Sequence, residues 1–137
     1  MGTIWCFGDS NTYGYDPCGF FGGRYAAPWP DLLAEKTGFR VINDGRNGRM
    51  IPVREYELRQ FCKDAERYGA DALIVMLGTN DLLEGAKAGE AAARMAAFLA
   101  GCAVPQILVG LSSILAARGM GARRRSRGGI AGAGAAI

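Results

Sequence analysis

Three short polar stretches hold the residue types that could do chemistry in this chain: Gly8-Asp9-Ser10-Asn11, Asn43 to Gly48, and Gly78-Thr79-Asn80-Asp81. The first is the most suggestive. It leaves the apolar run Thr3-Ile4-Trp5-Cys6-Phe7 through a tight turn, so the Ser10 hydroxyl sits on an exposed corner, where ligands of α/β sheets bind. Ser10 is a candidate nucleophile. The competing reading is that Asp9, Ser10 and Asn11 only cap the next segment, because all three types bond locally to backbone. The other two stretches bear on that choice: between them the three loops offer a hydroxyl, backbone donors at glycines and side-chain amides. The chemistry such a set could perform starts from nucleophilic attack by the Ser10 hydroxyl.

These loops need elements to position them. Residues 3–7 and 39–43 read as strands, and 72–77 is the clearest buried strand in the sequence. A fourth strand begins at 106–109. Helices are predicted from Pro30 to Lys36, over 53–68 and over 84–101. Pro30 and Asp31 suit the first helix's opening turn, and Gly38 and Gly69 are placed to stop the first two helices. Leu58, Phe61, Cys62, Ala65 and Tyr68 share one predicted helix face, and Met95, Phe98 and Leu99 face inward from the third helix. Between Ser10 and Pro28 lies a long loop whose Tyr13, Tyr15, Phe20, Phe21 and Tyr25 could wall a pocket or simply cover the sheet. Strands alternating with helices imply a parallel sheet with helices on both faces. The three polar loops follow three of its strands, so they fall on one edge.

Composition narrows the function classes. The chain has 137 residues and is read as one domain. No apolar run is long enough to cross a bilayer, and no secretory signal pattern opens the sequence, so a cytoplasmic protein is expected. The four cysteines, Cys6, Cys18, Cys62 and Cys102, form no Cys-x-x-Cys pair, and there is no His. A zinc site is therefore not expected, no cofactor is implied, and Cys6 and Cys62 are read as buried free thiols. The missing His also removes the usual general base of nucleophilic catalysis.

Residues 1–109 carry 11 basic and 13 acidic side chains, whereas 110–137 carry five Arg and no acid, so the net charge of +3 belongs to the end of the chain. That end is Gly/Ala/Arg-rich and has no aromatic residue. A basic segment can bind nucleic acid, but no aromatic is interleaved with these arginines and no nucleic-acid partner is expected. A natural flexible tail is a second reading. A shift of reading frame near Val109 or Gly110 is the favoured one, since Arg, Gly and Ala are what GC-rich codons yield out of frame. On this reading 1–109 is an incomplete domain and 110–137 is atypical.

Together the three blocks resemble the SGNH hydrolases, the GDSL lipase/esterase family, over residues 3–109. Gly8-Asp9-Ser10-Asn11 resembles the family's nucleophile block. Asn43-Asp44-Gly45-Arg46-Asn47-Gly48 is similar to its second block, whose last Gly gives a backbone N–H to the oxyanion hole, and Gly78-Thr79-Asn80-Asp81 is similar to Gly-x-Asn-Asp, whose Asn amide is another donor. The resemblance implies a three-layer α/β/α sandwich with a parallel, flavodoxin-like sheet, here truncated at its C-terminal end. It implies Ser10, Gly48 and Asn80 as catalytic residues, with Asp9, Asn11 and Asp81 in support, and a small carboxylic ester as substrate; arylesterase and acyltransferase members look most similar. For Gly48 and Asn80 the plainer alternatives are a turn glycine and a helix N-cap. The family's final Asp-x-x-His block has no counterpart, so little or no turnover is expected. A non-catalytic ligand-binding remnant of the same fold is the alternative. Apolar surface left by the missing sheet cover leaves room for a homo-oligomer.

Overall fold

The apolar runs zip into one parallel sheet. The computed structural model describes residues 2–19 and 23–110; Phe20, Phe21 and the Arg-rich segment 111–137 lie outside the described residues. Strands β1 (Thr3–Gly8), β2 (Arg40–Gly45), β3 (Ala72–Met76) and β4 (Gln106–Val109) alternate with helices α1 (Ser10–Tyr13), α2 (Trp29–Thr37), α3 (Glu55–Tyr68), α4 (Thr79–Leu83) and α5 (Ala88–Ala100). The strand order is β2-β1-β3-β4, and every pairing is parallel. From β1 the chain goes to β2 on one side and then returns past β1 to β3 on the other. Such a reversal opens a crevice at the carboxyl ends of the two strands it separates.

Side chains alternate across a strand, so Trp5 and Phe7 share one face. There they meet Phe61 of α3 and Phe98 of α5. Trp5 stacks on Phe61 at 4.6 Å between ring centroids, and Phe61 meets Phe7 and Phe98 edge-on at 5.0 and 4.7 Å. Leu73, Val75 and Met95 complete this core. Aromatic contacts of this kind add about 0.5–1.5 kcal/mol each beyond the area they bury. One residue past Phe7, Gly8 faces the opposite side, where α1 packs. A Cβ on Gly8 would fall 2.1 Å from Thr12 Oγ1, and one on Gly45 would fall 2.1 Å from the Tyr13 backbone nitrogen. Both positions are glycine because α1 lies directly on the backbone of β1 and β2.

Several boundaries differ from the sequence reading, each for a physical reason. Asp44 and Gly45, expected in a loop, extend β2 by pairing with Phe7 and Gly8. The loop expected from Ser10 opens with a helical turn, α1, capped by Asp9. A separate short helix not expected from the sequence, α4, occupies Thr79–Leu83, Gly85 takes φ +105°, and the helix expected over 84–101 starts later, as α5 at Ala88. A new N-terminus forms there because Glu90 accepts the Lys87 N–H at 3.4 Å. Cys62 is exposed, not buried. Leu58, Phe61, Ala65 and Tyr68 take the inward face of α3, and Cys62, one position beyond Phe61, is turned off it. Cys6 is fully buried, and desolvation pushes its thiol up to about 12.

Candidate active site

Register brings the three polar stretches to one edge. Gly8 pairs with Gly45 on one side and with Met76 on the other. Ser10 lies two residues beyond Gly8, Gly48 three beyond Gly45, and Asn80 four beyond Met76. β1 lies between the other two strands, so Ser10 leaves the sheet flanked by the loops that carry Gly48 and Asn80.

Ser10 is the first residue of α1 and is part-buried. Its turn is held by Asp9, whose Oδ1 accepts the Asn11 backbone N–H at 3.0 Å and the Asn11 Nδ2–H at 3.2 Å. Asp9 is only 1% exposed. Burial pushes its carboxyl above the ordinary range, while the Asn11 hydrogen bonds and the Arg49 charge pull it down. Thus Asp9 and Asn11 build the turn that presents Ser10. Asn43 fixes the other end of α1: its Nδ2 donates to the Thr12 carbonyl at 2.9 Å, and its Oδ1 accepts the Gly45 N–H at 2.9 Å.

The second loop runs from Arg46 to Pro52 and is tied down along its length. The Arg46 N–H donates to the Gly8 carbonyl at 3.1 Å. Gly48 has φ +78°, the left-handed region that other residues enter at a cost, and nothing lies within 4 Å of where its side chain would be. Its backbone therefore borders open space. At the far end, the Ile51 N–H donates to Asp81 Oδ1 at 3.0 Å. Asp81 is 1% exposed, and its second oxygen accepts from Arg94 Nη1 of α5 at 2.9 Å. Asp81 thus pins the second loop to α4 and α5.

Asn80 is the second residue of α4, whose N-cap is Gly78. The N-cap alternative for Asn80 is therefore corrected. Instead its Nδ2 donates across to the Arg49 carbonyl at 3.0 Å.

Arg49 is the residue that sequence reasoning missed. Its guanidinium lies over the Phe7 ring, 4.1 Å from the centroid, and donates to the carbonyls of Gly8 and Asp44 and to Asp44 Oδ1. Asp44 in turn accepts the indole N–H of the buried Trp5 at 3.0 Å. Burial lowers the Arg49 pKa, and Asp44 beside it raises it. The only hint in the sequence was one acid and two arginines inside a turn-rich stretch.

Two cavities, of about 510 and 460 Å³, flank this loop. The smaller is bordered by Gly48, Ile51 and Arg94 and the larger by Phe7, Arg49 and Phe61, and both touch Arg46. Of the aromatics that could wall a pocket, Tyr13, Tyr15 and Tyr25 line neither one, and Phe20 and Phe21 lie outside the described residues. Tyr15 and Tyr25 are 42% and 53% exposed. Their loop closes on itself: Tyr15 bridges to Arg24, whose guanidinium lies over the Tyr13 ring at 4.6 Å.

Comparison with known proteins bears on the family and the fold. The model of the GDSL-like lipase/acylhydrolase family matches residues 6–133, past the change of composition at 110. No curated protein matches. Among solved structures, a carbohydrate acetylesterase family member from Sinorhizobium meliloti is 26% identical with a TM-score of 0.68, covering 81% of this chain and 62% of that one. A candidate arylesterase from Agrobacterium tumefaciens str. C58 is 28% identical with a TM-score of 0.65, covering 80% and 62%. AlinE4, an SGNH-hydrolase family esterase, is also 28% identical, with a TM-score of 0.59, covering 80% and 58%. The chain spans about three-fifths of the length of these structures.

Proposed function

The chain belongs to the GDSL-like lipase/acylhydrolase family, and on that premise we propose that its site cleaves small carboxylic esters through a Ser10 acyl-enzyme. Ser10 Oγ attacks the carbonyl carbon, its proton passes through water or an added base to the leaving oxygen, and the alcohol departs. Water then releases the acid and restores Ser10. The oxyanion is met by the backbone N–H groups of Ser10 and Gly48 and by the Asn80 amide. Donors fixed before the charge appears need not reorganise as it forms, and one such donor typically contributes about 3 kcal/mol to the transition state.

The observation that carries this reading is the shared register of Gly8, Gly45 and Met76, which sets the Ser10, Gly48 and Asn80 loops side by side. Gly48 takes φ +78° in the turn closed by the Arg49 N–H on the Arg46 carbonyl at 3.2 Å, so it is a turn glycine, and on the proposed reading its N–H also serves the substrate oxygen.

None of the 137 residues is His, so the proton of Ser10 has no imidazole to receive it from this sequence. Without a base a serine is a weak nucleophile. We infer slow intrinsic turnover that an added base accelerates. The test is labelling by a p-nitrophenyl phosphonate, followed by mass spectrometry. A single adduct on Ser10, absent in Ser10→Ala, is expected. Adducts elsewhere, or none even with free imidazole present, would leave a non-catalytic ligand-binding site as the better reading.

A further inference from the structure

We propose that Arg49 is the positioning residue of the oxyanion site, coupling the three strand ends so that the Asn80 amide and the Gly48 N–H keep one mutual geometry. The inference rests on the reading of Ser10, Gly48 and Asn80 given above. The contacts of Arg49 reach all three strand ends. Its guanidinium holds β1 through the Gly8 carbonyl at 3.1 Å. It holds β2 through the Asp44 carbonyl and through Asp44 Oδ1 at 3.2 Å. Its own carbonyl holds the stretch after β3 through Asn80 Nδ2 at 3.0 Å. The side chain is only 12% exposed and lies against the Phe7 ring, so it has little freedom to swing away.

This arrangement has a chemical consequence at Asn80. A carbonyl oxygen can only accept, so the Arg49 carbonyl selects the NH₂ end of the Asn80 amide and turns Oδ1 elsewhere. One Nδ2 hydrogen is used in that bond, and the second is left for an oxyanion. Because Arg49 directly follows Gly48, the same loop segment sets the Gly48 backbone. The rest of the loop is anchored independently, at Arg46 by the Gly8 carbonyl and at Ile51 by Asp81. Arg49 therefore tunes the middle of a loop whose ends are already held. Lys cannot replace it, because a single ammonium lacks the planar fork that serves several acceptors at once.

The test compares Arg49→Met and Arg49→Lys with the parent chain by two readouts. One is Ser10-dependent hydrolysis of p-nitrophenyl acetate in free imidazole, with kcat and KM separated. The other is the position of the Asn80 side-chain ¹⁵N–¹H resonances, assigned by their loss in Asn80→Asp. Arg49→Met is expected to keep a cooperative melt, to lower kcat on the order of a hundredfold, the effect of one misplaced oxyanion donor, and to change KM by less than about threefold. The Asn80 resonances should move, and Arg49→Lys should fall between parent and Arg49→Met on both readouts. Unchanged kcat with unmoved Asn80 resonances would overturn the proposal. If Arg49→Met does not fold, Arg49→Lys decides by the same two readouts, and parental values for it would equally overturn the idea. If the parent chain shows no Ser10-dependent rate, the catalytic reading fails on its own. The Asn80 resonances then decide the role of Arg49: displacement supports it, and no displacement overturns it.

Discussion

Asn80 has two amide hydrogens, and the Arg49 carbonyl takes one of them. On the proposed reading, that division orients Asn80, a donor candidate already in the sequence, with its second hydrogen toward the substrate oxygen. Replacing Asn80 with Ala should slow phosphonate labelling of Ser10 on the order of a hundredfold, measured as adduct formed per minute, while the thermal melt stays within a few degrees of the parent. A second expectation concerns Asp9. Its buried carboxyl is raised above the ordinary range by desolvation, so the folded state binds that proton more tightly than the unfolded chain. The group's contribution to stability is therefore fully present below its unfolded value, near 4, and is lost as pH rises through the folded value. In Asp9→Asn this dependence disappears, while the amide oxygen can still accept the Asn11 N–H. Melting curves from pH 7 to pH 4 should show the parent gaining on the variant as pH falls. A constant difference across that range would contradict the assignment.

Elements place these residues more by backbone contact than by side-chain packing. The seat of α1 on Gly8 and Gly45 is the clearest case. Gly45→Ala must push α1 away, because the obstruction is the Tyr13 backbone and not a side chain that could swing aside. We expect a loss of about 1–3 kcal/mol in urea unfolding, together with slower Ser10 labelling in the folded fraction. Unchanged labelling would mean that α1 does not set Ser10. The strands and most helix ends were readable because apolar periodicity and stop glycines are local signals. What was missed depends on tertiary partners. Asp44 and Gly45 read as turn residues by type, yet pairing with β1 makes them strand. The late start of α5, after the positive-φ Gly85, was hidden at the edge of an Ala-rich pattern. Cys62 fits the apolar stripe by spacing, but Phe61, Ala65 and Tyr68 take that face of α3.

At the scale of the molecule, the sheet order β2-β1-β3-β4 does what no single motif could: it brings segments more than 30 residues apart to one edge. The identity of Ser10, Gly48 and Asn80 as candidates was visible in the sequence, because three blocks in the expected order are specific. Arg49 was not, because its role exists only once three strand ends meet. Composition bears on the same proposal: with no His among the 137 residues, the proposed nucleophile and oxyanion donors receive no imidazole from this sequence. The proposed site is therefore expected to respond to a base supplied from outside this sequence. The most direct test is p-nitrophenyl acetate hydrolysis by the parent chain and by Ser10→Ala, side by side, over a range of free imidazole. The difference between the two should be small without imidazole and should rise with its concentration. Rates that coincide at every imidazole concentration would contradict the assignment of Ser10 as the nucleophile.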